Sequence, residues 1–108
     1  MSIDLPKPIA AYFTADKRDA DAVVLCFTED ALVNDEGQTY NGLPAIKQWK
    51  ADTSRKYTYT SDPFLLQKKA GETVVTSRLT GNFAGSPVDL RFFFTLKGDK
   101  IASLKIIP

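Results

Sequence analysis

Three short turn sequences, Ala70-Gly71-Glu72, Gly85-Ser86-Pro87 and Gly98-Asp99, cut the second half of the chain into four long segments rich in β-branched and aromatic residues. Turns this short close antiparallel hairpins, because a parallel return needs a crossover of a dozen residues or more. Tyr57 to Lys69, Thr73 to Ala84, Val88 to Lys97 and Ile101 to Ile107 are therefore expected to form a four-strand meander. Pro63 cannot donate to a sheet ladder, which places a break, a bulge or a sheet edge inside the first strand. Gly81 and Gly85, on either side of Asn82-Phe83-Ala84, suggest a bend or a close backbone approach.

The first half changes period. Pro8 suits the first turn of a helix, where its missing N–H costs nothing, and Ile9, Tyr12, Phe13 and Asp16 follow at helical spacing. That inward stripe is short and ends in a charge. Asp19 is placed to cap a second helix carrying Ala20, Val23, Val24 and Phe27. From Ala31 the alternation is two, turning at Gly37 into Gln38-Thr39-Tyr40 as a short hairpin. Leu43-Pro44 then opens a third helix that carries Ile46, Trp49 and Thr53 inward and ends near Ser54. The expected architecture is α+β in one domain spanning residues 1–108, with no repeat and no linker.

The chain has no histidine. Ser-His-Asp and Cys-His catalysis are excluded, as is a zinc site of the usual ligand set, so a general base must be a carboxylate, a lysine or a tyrosine. No metal or organic cofactor is called for. The single cysteine, Cys26, lies among Val23, Val24, Leu25 and Phe27 and is expected as a small buried hydrophobe. A formal net charge of +1 with scattered lysines and arginines gives no footprint for nucleic acid. No apolar run approaches the roughly 20 residues of a membrane helix. The first residues lack the basic start and apolar stretch of a secretory signal, so the cytoplasm is the expected compartment.

This order of elements, with the phrases Asp19-Ala20-Asp21-Ala22-Val23-Val24-Leu25-Cys26-Phe27-Thr28-Glu29-Asp30-Ala31, Tyr40-Asn41-Gly42-Leu43-Pro44-Ala45-Ile46-Lys47-Gln48-Trp49 and Gly98-Asp99-Lys100-Ile101-Ala102-Ser103-Leu104-Lys105-Ile106, resembles the nuclear transport factor 2-like superfamily, most closely its SnoaL-like members. The resemblance implies a curved, mostly antiparallel sheet wrapped as a cone around three helices, a small-molecule pocket inside it and a homodimer through its outer face. It implies no single reaction, because isomerases, cyclases, dehydratases, epoxide hydrolases and non-catalytic modules share the fold.

Residue by residue, the resemblance implies that Asp35, at the end of the first strand, is the proton-moving carboxylate of the ketosteroid isomerase branch. The tyrosine that this branch carries on its first helix falls, without gaps, on Ala11, with Tyr12 one residue out of phase. Its second oxyanion donor falls on Arg91, a cation that would stabilise an enolate and attract an anionic ligand. Asp89 and Arg91 share a strand face and invite comparison with the epoxide hydrolase branch, but the last strand lacks that branch's second aspartate. Tyr12, Phe13, Phe27, Trp49 and Tyr59 are the candidate ligand-lining aromatics, with core packing as the competing role.

The residues alone leave two questions open. Asp35 either faces the cone, where apolar neighbours would raise its pKa, or caps the Glu36-Gly37 turn in solvent. Arg91 and Asp89 either face the cone, leaving Phe92, Phe94 and Leu96 outside and in need of a partner copy, which is the arrangement the resemblance and its implied dimer favour, or point outward while the apolar set lines the core. The implied activity is proton transfer on an apolar carbonyl-containing ligand, with Arg91 as oxyanion donor; the alternative is a non-catalytic homodimeric binding module.

Overall fold

Pro6 and Pro8 start the first helix, α1 (Lys7–Asp16), in the computed structural model, which describes residues 3–108. The side chain of Asp19 accepts a hydrogen bond from the Ala22 N–H at 2.8 Å and caps α2 (Ala20–Val24). An Asp19→Ala variant is expected to lose about 1 kcal/mol, a fall of about 4 °C in Tm by thermal denaturation, and an unchanged Tm would deny the cap any role.

The second helix is shorter than its apolar stripe. Phe27 is not helical but opens β1 (Phe27–Asp35), because the chain must leave the helix for Phe27 to pair with Ile101 across the sheet. β2 (Gln38–Asn41) returns along β1, and α3 (Gly42–Lys56) runs two residues past Ser54. The meander follows as β3 (Tyr59–Lys69), β4 (Glu72–Gly81), β5 (Val88–Lys97) and β6 (Lys100–Ile107). The six strands form one sheet in the order β2-β1-β6-β5-β4-β3, antiparallel throughout except where β1 meets β6. The architecture is α+β, with a curved mixed sheet and three helices.

β3 is an edge strand, and its register shifts between Pro63 and Leu65, so the proline marks both an edge and a bulge. Gly81 lies opposite Tyr59 in the ladder, and a Cβ there would stand 2.3 Å from the Thr58 carbonyl oxygen. The close approach of β3 and β4 at this point thus depends on the missing side chain.

Directly paired residues of neighbouring strands share a sheet face. Phe92 pairs with Val75 and Ile106, and Phe94 with Leu104; all five are buried against α1 and α3. The rings of Tyr12, Phe13, Phe27, Phe92 and Phe94 meet largely edge to face, as the quadrupoles of aromatic rings favour. Phe92, Phe94 and Leu96 therefore pack inward, correcting the expectation that they lie outside and require a partner copy. Phe92 and Phe94 are covered within the chain itself.

Cys26 is buried, as expected of a small hydrophobe. Among the described residues, no helix is long and apolar enough to cross a membrane.

Candidate functional site

The sheet curves away from the helices at one end and leaves a half-enclosed cavity of about 510 Å³ between α1, α3 and the inner sheet face. Most of its wall is apolar, supplied by residues such as Leu79, Phe83, Leu90 and Phe92. This is the size and character of a small-molecule site.

Asp35 reaches the wall from the last position of β1, just before the left-handed turn at Glu36 and Gly37, whose φ values are 54° and 76°. It is half-buried and does not point into bulk solvent. Trp49, one helical turn beyond Ile46 on the inward face of α3, donates its indole N–H to Asp35 Oδ2 at 3.0 Å. Burial raises the Asp35 pKa above the ordinary aspartate value, the Trp49 hydrogen bond works against that rise, and the neighbouring Glu36 charge adds to it. A carboxylate so placed is oriented by one donor and kept basic by its surroundings.

Tyr12 of α1 lies across the cavity and is buried except where it meets the pocket. Every fully buried side-chain nitrogen and oxygen among the described residues has a hydrogen-bond partner. The Tyr12 hydroxyl, which has none among these residues, is thus turned to the cavity. Burial, followed by the charge of Asp16, holds its pKa well above the ordinary tyrosine value, so it is a neutral donor. Ala11 is exposed. Tyr12, and not Ala11, thus faces the pocket.

A second polar cluster forms part of the same wall. Lys50, midway along α3, and Asp16, at the end of α1, form an ion pair with side chains only 2% and 7% exposed. Lys50 Nζ also donates to the Tyr59 hydroxyl at 2.7 Å, and that hydroxyl donates to Asp16 Oδ1 at 2.9 Å and faces Oδ2 at 3.1 Å. Asp16 and Tyr59 touch the cavity.

The remaining candidates lie elsewhere. Phe13 and Phe27 pack behind Tyr12 in the core and do not line the cavity. Asp89 and Arg91 are on the outer face, a correction that follows from strict alternation on β5: with Phe92 and Phe94 inward, their odd-numbered neighbours must point away. Asp89 pairs with Arg78 across the β4–β5 ladder at 2.9 Å, which holds its pKa below the usual aspartate value. Arg91 is exposed, donates to a Pro108 oxygen at 2.9 Å and lies over the Phe93 ring. It is no oxyanion donor for this cavity. An Arg91→Ala variant should leave the affinity of any cavity ligand unchanged within about twofold, as for a charge outside a screened contact, and a larger loss by calorimetric titration would return Arg91 to the site.

No family model matches the chain, and no curated protein sequence matches it. Solved structures do. A candidate polyketide cyclase from Sinorhizobium meliloti is 36% identical over 99% of both chains, with a TM-score of 0.92. A protein of ketosteroid isomerase-like fold from Catenulispora acidiphila, solved with trimethylamine, is 18% identical over 97% of this chain and 87% of its own, with a TM-score of 0.84. The epoxide hydrolase/cyclase-like enzyme SalBIII, connected with pyran ring formation in the polyether salinomycin, is 22% identical over 93% of this chain and 86% of its own, with a TM-score of 0.76. The last two speak for the fold. With the first, whose sequence and structure run alongside this one almost end to end, they identify the lineage: the chain belongs to the SnoaL-like members of the nuclear transport factor 2-like superfamily.

Proposed function

We propose that this chain binds a small, largely apolar carbonyl compound in the cavity and forms its enolate, as an isomerase or a polyketide cyclase-type enzyme would. The observation that carries this reading is Asp35, a carboxylate raised in pKa by burial, fixed by Trp49 and facing an apolar cavity that also presents the Tyr12 hydroxyl. Asp35 takes the proton from the carbon beside the carbonyl. The C–H electron pair becomes the new C=C bond, and charge moves to the carbonyl oxygen, where a neutral phenol donates a hydrogen bond. In an unsaturated ketone the charge extends to a dienolate, and returning the proton from Asp35 to its γ-carbon isomerises the ligand; attack of the enolate carbon on a second carbonyl closes a ring, the C=O pair moving to that oxygen, which takes the proton back from Asp35. The 36% identity to the candidate cyclase from Sinorhizobium meliloti supports the second outcome.

The test is hydrogen–deuterium exchange at the α-carbon of cyclic ketones, β-diketones and lactones, followed by proton NMR in heavy water. Exchange that depends on Asp35 supports the reading; compounds that bind but exchange no faster with the protein than with buffer refute it.

The second reading, binding without turnover, draws on the outward orientation of Arg91, which leaves the cavity with fewer oxyanion donors than the isomerase pattern implies. It requires ligands that raise Tm equally in wild type and in the Asp35→Asn variant with no exchange in either.

A further inference from the structure

Enolate formation at Asp35 uses Tyr12 and leaves the Lys50–Tyr59–Asp16 cluster without a part. Burying such an ion pair is costly unless every donor and acceptor is satisfied, and replacing it with apolar residues is often neutral or stabilising. The cluster also sits at the wall of the cavity instead of deep in the core, with Tyr59 and Asp16 both reaching the open space. Of its two residues at the cavity, Tyr59 carries a hydroxyl hydrogen that can rotate about the C–O bond, while Asp16 only accepts.

We propose that Tyr59 is an oxyanion donor of this cavity and that Lys50 is its positioning residue, so that the hydroxyl hydrogen now directed at Asp16 turns to the oxygen of a bound enolate. The inference rests on the enolate reading and deepens it. In the structure the Tyr59 hydroxyl accepts from Lys50 at 2.7 Å and donates to Asp16 at 2.9 Å. When its hydrogen leaves Asp16, that carboxylate is still held by the Lys50 ammonium. The same ammonium keeps the phenol oxygen fixed and polarises its O–H, which makes it a better donor. Burial and the Asp16 charge raise the Tyr59 pKa, so the phenol gives a hydrogen bond and keeps its proton. No bond breaks at Tyr59, and the proton taken by Asp35 is the only one transferred. Tyr12 from α1 and Tyr59 from β3 thereby supply two neutral donors to a site that has no free cation of its own among the described residues.

The probe is 4-nitrophenolate, an aromatic oxyanion, with nitrobenzene as its uncharged counterpart. Both are titrated calorimetrically in mildly alkaline buffer against the Asp35→Asn protein, which imitates the protonated base that accompanies an enolate. Adding Tyr59→Phe should weaken phenolate binding about 10-fold, the worth of a hydrogen bond to a charged group, and leave nitrobenzene within about twofold. Replacing Tyr59 with 3-fluorotyrosine, which keeps the fold and makes the phenol more acidic, should tighten phenolate binding alone.

Equal losses for both probes would make Tyr59 a packing residue and overturn the proposal. So would a phenolate affinity indifferent to either substitution, or no phenolate binding at all. A phenolate response at Tyr59 without α-proton exchange on any carbonyl compound would sink the enolate reading instead, so the two failures are separable.

Discussion

Replacing Asp35 with asparagine is expected to slow α-proton exchange by about 10²–10⁴-fold, the usual contribution of a positioned general base. Asparagine keeps the shape and the oxygen that accepts from the Trp49 indole, so binding should persist while proton transfer fails. The wild-type rate should rise with pH as Asp35 ionises, and because burial raises its pKa, that rise should lie above the ordinary aspartate range.

The same shift sets a stability trend of opposite sense. A carboxyl whose folded pKa is raised binds more protons in the native state, so stability falls as pH climbs from the unfolded value through the folded one. Asp35→Asn, fixed in the neutral form, should therefore melt higher than wild type near neutral pH. The difference should vanish in acid below the ordinary aspartate range, where both states of the wild type are protonated. A variant that exchanges at the wild-type rate would remove Asp35 from catalysis. One that melts lower at neutral pH would contradict its burial.

Lys50→Met should be the most destabilising single change near the cavity, costing about 3–5 kcal/mol, because it strands the Asp16 carboxylate in a buried position without its partner. For a domain of this length that corresponds to a fall in Tm of about 12–20 °C. The double variant Lys50→Met/Asp16→Leu should regain most of the loss, since a matched apolar pair carries no unpaired charge. Denaturant unfolding of both single variants and the double variant gives the coupling directly. A Lys50→Met loss below about 1 kcal/mol would place the pair among solvated ion pairs and out of the cavity wall.

The pair was half visible before folding. Asp16 ends the apolar stripe of α1, and Lys50 stands four residues after Ile46 and beside Trp49, on the inward face of α3. The Ile46, Trp49, Thr53 reading of α3 passes over Lys50, because a lysine beside an apolar stripe ordinarily reaches solvent, and only its meeting with Asp16 of α1 keeps it buried. Tyr12 was obscured for a different reason. Counting without gaps assigns its place to Ala11, whereas the face of α1 that packs on the sheet turns Tyr12 inward and leaves Ala11 exposed. Asp35 could be located at a strand end from the Glu36-Gly37 turn, yet its direction depends on the Trp49 indole, fourteen residues away in the chain.

The three short turns, from which the meander follows, determined the antiparallel order of β3 to β6 outright, since so few residues between strands permit no other return. Helix stripes, the hairpin and the α+β class follow from period in the same local way. Which face of β5 turns inward is not local: both alternate sets, Val88 through Leu96 and Asp89 through Phe93, contain apolar residues. Only the tertiary structure decided it. Phe92 and Phe94 have partners in Val75, Leu104, Tyr12 and Phe13, and burying those rings leaves no room for Arg91 on the same side. That choice took Arg91 out of the cavity and left the Tyr12 and Tyr59 side chains among the polar groups of its wall.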